Sequence, residues 1–285
     1  MKKSMFQASP LQIVILITGF SLMTYLFWKE SPRRMVVEVP NERAGLHPLV
    51  ASLIDEKGPV KTSGHFRIHG SAQGRAEVIR RAEHAWFDAN IRGLPEMERG
   101  GLGHIALLNS AKWAAFTDKG EHGSGHRSGQ VDRTIVLVRE SGKPHEMTDV
   151  AHEVIHYRLE DAALPLWAEE GLALHLGVEI TLAFERGGDR RAGESVEPPG
   201  ERRPVGKTIM DFDRYPEDPA VLAGFYRHCR LFTKALQLDK EQLQVYVHTL
   251  GQGEAWDGVL ADSLQVPPDR IERLRKLAVI TVRAE

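Results

Sequence analysis

The sequence predicts an α+β fold: a small mixed sheet packed on one central helix, followed by a helical C-terminal subdomain. Three observations carry this expectation. From His65 onward the apolar pattern runs strand, helix, strand, helix, strand and then helix. Met147, Val150, Ala151, Val154 and Ile155 recur at helical spacing, with no glycine or proline between Met147 and Tyr157. Beyond residue 207, residues 243–250 and 271–279 read as amphipathic helices that serve as packing material.

Taken in order, residues 4–28 carry no charge, and 11–28 are apolar apart from Gln12, Thr18, Gly19, Ser21 and Thr24. As a helix that run would be about 27 Å long, close to the thickness of a hydrocarbon core. Lys2 and Lys3 precede it, and Tyr25, Phe27 and Trp28 end it like an interfacial aromatic belt. Residues 1–34 are therefore expected to be a single-pass N-terminal membrane anchor. A cleaved signal segment is the other reading, against which stand the long core and the bulky Tyr25 to Trp28 where small residues would be needed. Lys29, Arg33, Arg34 and Arg43 follow the run, so the charge balance does not itself favour export.

Residues 35–62, with Pro40, Pro48, Gly58 and Pro59, read as a stalk. Residues 63–180 form the main unit. Within it, residues 118–132 are rich in glycine and include His122 and His126; a flap over a substrate is the expected role, ahead of a second metal site. Residues 181–207, with Pro198, Pro199, Pro204 and many charges, read as an exposed loop, and 208–285 as the helical subdomain.

The chemistry lies in the helix at 147–157, where His152, Glu153, Val154, Ile155 and His156 follow one another. Two histidines four residues apart share one helix face, so both imidazoles can reach one metal ion. A catalytic zinc takes three protein ligands and leaves a fourth position for water. Glu170 is the natural third ligand: Leu166, Trp167, Glu170, Ala173 and Leu174 define an apolar stripe, and a carboxylate on such a stripe asks for a cationic partner. Glu153, about a hundred degrees around the helix from His152, suits the general base. Gly171 lacks a side chain inside a helical segment, which close approach of another backbone would explain.

The pair of strings His152 to His156 and Trp167 to Ala173 resembles the gluzincin metallopeptidases, in particular the bacterial peptidase MA-like domains. In that family the glutamate before the glycine is the third zinc ligand, which selects Glu170 over Glu169. The resemblance implies an opening strand at 65–69, a long helix at 76–94, strands at 104–109 and 134–139, and a later helix at 223–238. It also implies an oxyanion-stabilising tyrosine or histidine, for which Tyr226 and His228 are the options; Tyr226 matches an aromatic position of the family's helix, although its neighbours Leu222, Phe225 and Cys229 equally suit a core tyrosine. Two departures stand out: Glu169 where a small polar residue is more common, and Arg158 where an apolar one is. No G-x-M-E-N string precedes the zinc helix, so exopeptidase action has no support. Peptide deformylases share H-E-x-x-H but take a cysteine ligand upstream of it, whereas Cys229 lies far downstream.

Composition bounds the alternatives. With 42% hydrophobic and 27% charged residues the chain has the make-up of a folded enzyme, and a net charge of −2 without a basic stripe gives no reason to expect nucleic acid. A single cysteine excludes an internal disulfide, and Cys229 is expected to be a buried, inert thiol. The sequence thus predicts a membrane-anchored zinc metallopeptidase with an extracytoplasmic catalytic domain. One zinc would be held by His152, His156 and Glu170, with Glu153 as base, Tyr226 as oxyanion donor and a peptide or protein as substrate. A scaffold that keeps the fold but not the turnover, or a zinc hydrolase of a non-peptide amide, are the alternatives.

Overall fold

A computed structural model describes residues 38–39, 60–70, 74–95, 102–109, 128–131, 134–139, 147–186 and 202–283. The fold is α+β, and its elements belong to one compact unit, Glu38–Glu285. Six strands form a mixed sheet: β1 (Glu38–Val39), β2 (Val60–Thr62), β3 (Phe66–Gly70), β4 (Gly103–Asn109), β5 (Ser128–Val131) and β6 (Thr134–Arg139), in spatial order β1-β2-β3-β4-β6-β5. The central three are parallel and the flanking pairs antiparallel. Parallel strands are buried on both faces and so read as continuous apolar runs. Ile105 to Leu108 and Ile135 to Leu137 are such runs, and every one of these residues is buried.

Register fixes which side chains face the helices. Ile68 pairs with Ile105 and Ile105 with Ile135, so one apolar row crosses β3, β4 and β6, and Leu107 with Leu137 adds a second across β4 and β6. These residues share a core with α1 (Arg75–Ile91), which connects β3 to β4 in the crossover that a parallel pair requires. They share it also with α2 (Met147–Leu159), which is buried almost all round from Val150 to Leu159, as befits a helix at the centre of a domain. Arg158 is among those buried residues. Its guanidinium donates to Asn90 Oδ1 (2.5 Å) and to the carbonyls of Leu94 (2.9 Å) and Pro95 (2.5 Å), and it lies 4.2 Å over the Trp86 ring. A forked cation at this position thus ties α2 to the C-terminal end of α1, something an apolar residue could not do.

Beyond α2 come α3 (Leu166–Arg186), β7 (Arg202–Thr208), α4 (Pro219–Leu236), α5 (Lys240–Gly251), α6 (Pro268–Ala278) and β8 (Val279–Arg283). α4 starts where Asp218 accepts from the N–H groups of Ala220 and Val221 and Pro219 takes the first turn. Its buried face, Phe225, Cys229, Phe232 and Leu236, keeps helical spacing. Close approach explains Gly171: a Cβ there would lie 2.8 Å from the carbonyl oxygen of Cys229 and 2.3 Å from Thr233 Oγ1.

Several expectations are corrected. Strands β1 and β2 fall within the expected stalk and β5 at the end of the expected flap, and the rest of both segments lies outside the described residues. Both ends of the expected loop 181–207 belong to regular elements, since α3 runs to Arg186 and β7 spans Arg202–Thr208; the stretch between them lies outside the described residues. The C-terminal part is not wholly helical, for β8 pairs antiparallel with β7. The membrane anchor does not stand: among the described residues no helix is long and apolar enough to cross a membrane. The longest, α3, carries Glu169, Glu170 and Glu179 within any stretch long enough to span. Residues 1–34, on which the anchor rested, lie outside the described residues, and the extracytoplasmic placement falls with it.

Candidate metal centre

His152 and His156 lie one turn apart on α2, so both rings leave the same face. After α2 a short turn, Glu160–Ala162, and left-handed backbone at Ala163 (φ 48°) reverse the chain. Pro165 then opens α3, its carbonyl accepting from the N–H groups of Ala168 and Glu169. α3 runs back along α2, which sets Glu169 and Glu170 against His156 and Gly177 against His152. A Cβ on Gly177 would lie only 3.3 Å from the His152 backbone nitrogen. Absence of a side chain there lets the helices approach closely enough for the first turn of α3 to reach both histidines.

The resulting geometry is compact. His152 Nε2 and His156 Nε2 are 3.0 Å apart. Glu170 Oε1 lies 3.4 Å from His156 Nε2, and Oε2 lies 3.8 Å from His152 Nε2. Two ligands bonded at ordinary zinc distances in a tetrahedral site stand about 3.3 Å from each other. The donor set therefore fits a single ion. Among the described residues, His152, His156 and Glu170 are the one group arranged to hold a metal, with ligand atoms within 4.8 Å of one another.

Electrostatics agree with the geometry. Glu170 is 2% exposed and its Oε2 has no hydrogen-bond partner, a costly state for a carboxylate oxygen unless a cation meets it. Burial pushes the Glu170 carboxyl up, but His156, His152 and the Tyr215 hydroxyl outweigh it and hold the group at about 2. Burial likewise works against a charged His156, yet the carboxylates of Glu170 and Glu169 raise it well above the ordinary histidine value. The carboxylates here favour positive charge at the centre of the cluster.

The remaining site residues sort clearly. Glu153 is buried at 4% exposure on the same helix. Tyr226, on α4, is partly buried, and burial, with the nearby Glu170 and Glu153 charges adding to it, pushes its phenol upward. His228 is elsewhere: its Nδ1–H donates to the Leu277 carbonyl (2.7 Å) and its Nε2 accepts from the Thr281 N–H (3.2 Å), which joins α4 to β8. Cys229 is fully buried, and burial with the Glu170 charge pushes its thiol up. His122 and His126 lie outside the described residues. Sequence reasoning missed Tyr215, whose hydroxyl donates to Glu170 Oε1 at 2.5 Å and whose ring lies 6.0 Å from that of Tyr226. Its only signal was an aromatic residue in the polar string Asp213-Arg214-Tyr215-Pro216-Glu217, where a loop residue has no core to join. It also left Glu169 without a role; Glu169 Oε1 accepts from His156 Nδ1–H at 2.7 Å. No family model matches the sequence, and no curated protein matches it either.

Proposed function

We propose that the chain is a zinc metallopeptidase of the gluzincin type. One observation carries the reading: His152 Nε2, His156 Nε2 and a buried Glu170 carboxylate with a free oxygen converge on one point, with Glu153 buried on the same helix. The finer architecture belongs to the same proposal, namely a small mixed sheet against the helix with both histidines, and a largely helical part after it. A divalent zinc, when bound, supplies a Lewis acid that polarises a carbonyl and makes water acidic enough to attack at neutral pH. His152, His156 and Glu170 hold it. Glu153 takes the proton from the attacking water and passes it to the leaving amine. The Tyr226 hydroxyl donates to the oxygen of the scissile carbonyl as negative charge develops there.

A peptide is the substrate class that the paired motifs imply. β5 supports it, being the last strand of the sheet among the described residues and lying against α2, since an extended chain pairs with such an edge. The test is hydrolysis of a quenched-fluorescent peptide library by the full zinc-loaded chain. Glu153→Gln should lower turnover about 10²- to 10⁴-fold while zinc stays bound. Undiminished hydrolysis by that variant refutes the assignment of the base, and a zinc-loaded wild type that cleaves no peptide points instead to a scaffold or to a non-peptide amide.

A further inference from the structure

The adjacent acids of α3 and the tyrosine before α4 touch the candidate ligands from outside. We propose that Glu169 and Tyr215 are positioning residues of the metal centre, Glu169 fixing the ring of His156 and Tyr215 fixing the carboxylate of Glu170; this rests on the reading of the site as a metal centre.

The argument for Glu169 begins with the imidazole. A neutral histidine that donates from Nδ1 must present Nε2 as a bare lone pair. His156 Nδ1 lies 2.7 Å from Glu169 Oε1, so the hydrogen bond selects the tautomer that directs Nε2 inward. Nε2 is the nitrogen 3.0 Å from His152 Nε2. Successive residues on a helix point about a hundred degrees apart. Glu170 can therefore aim at the ion while Glu169 reaches around to the far side of the same ring. The doublet thereby divides between a ligand and the group that orients another ligand.

Tyr215 does the corresponding work on the carboxylate. It enters from the segment between β7 and α4, 45 residues from Glu170 in sequence, and its hydroxyl donates to Oε1 at 2.5 Å. Oε2 is the oxygen left without a hydrogen bond. One carboxylate oxygen is thus held and the other left to the ion. The Tyr226 ring stands beside that of Tyr215 and steadies it. A purely structural ion pair or surface tyrosine would influence folding and leave the affinity for metal alone.

Zinc affinity of the full chain, measured by competition with a chromophoric chelator, separates these roles. Glu169→Ala and Tyr215→Phe should each weaken zinc binding about 10- to 100-fold. Glu169→Gln should lose less, because its amide oxygen still accepts from Nδ1–H. In each variant the cobalt(II) absorption bands should move, a change in the ligand field that a loss of folding stability alone would not produce. Should Glu169→Ala fail to fold, Glu169→Gln carries that half of the test. A variant whose affinity stays within twofold of wild type, with unmoved cobalt bands, removes its residue from the proposal. A wild-type chain that takes up no zinc is a distinct outcome, since it overturns the metal-centre reading and this inference with it.

Discussion

Gly171→Ala probes whether the site depends on the closeness of α3 and α4. The added Cβ would lie 2.8 Å from the Cys229 carbonyl oxygen, roughly 0.6 Å short of the 3.4 Å at which ordinary contact begins. Thr233 Oγ1, at 2.3 Å, is a second obstacle, and Thr233 is itself buried. A side-chain oxygen can turn away, but a carbonyl inside a helix moves only if the helix moves. Overpacking of this kind costs about 1–3 kcal/mol, and two contacts, one with backbone, place this case near the upper end. Alanine returns about 1 kcal/mol through its better helix propensity. The net expectation is a loss of about 2 kcal/mol, or about 4–8 °C in melting temperature for a chain of this size. Differential scanning calorimetry measures it. Adding Thr233→Ala should recover part of the loss, leaving the carbonyl contact, and a double-mutant cycle reads the difference. Gly171→Ala melting at or above the wild-type temperature would show that α3 and α4 are not locked at this contact.

Arg158→Met strands the Leu94 and Pro95 carbonyls and removes the cation from the Trp86 ring; urea unfolding should show a loss of about 2–4 kcal/mol, and wild-type stability would refute the strut. Burial pushes the Glu83 carboxyl up, but hydrogen bonds from Ser63 and from the His65 ring and backbone N–H outweigh it and hold the group below its ordinary 4.5. A depressed carboxylate stabilises the fold above 4.5 and loses that contribution as pH falls through its lowered value, so Glu83→Gln should destabilise at pH 7 and less so at pH 3, by urea unfolding at each pH; an equal loss at both would contradict this.

Where the sequence was legible, local signals decided. An uninterrupted apolar repeat marks α2, expected at 147–157 and observed at Met147–Leu159. β6 coincides with the expected 134–139, because a buried parallel strand is an apolar run with abrupt ends. α4 starts four residues before the expected 223, although Asp218 and Pro219 were a readable cap. β7 was hidden for a different reason: it is largely exposed, contains Pro204 and Gly206, and finds its partner β8 across most of the C-terminal part. Such a strand has no alternation to betray it. The site divides the same way. The clustering of His152, His156 and Glu170 was legible because helical spacing alone brings the histidines together and an apolar stripe isolates the acid. Tyr215 was not, since only the tertiary fold brings it to Glu170.

Zinc stoichiometry tests the central claim most directly. The full chain, equilibrated by dialysis with a slight excess of zinc and then analysed for metal, should hold about one ion, and His152→Ala and Glu170→Ala should hold none under the same conditions. A folded wild type that binds no zinc, or a full complement of zinc in either variant, would contradict the three-ligand site.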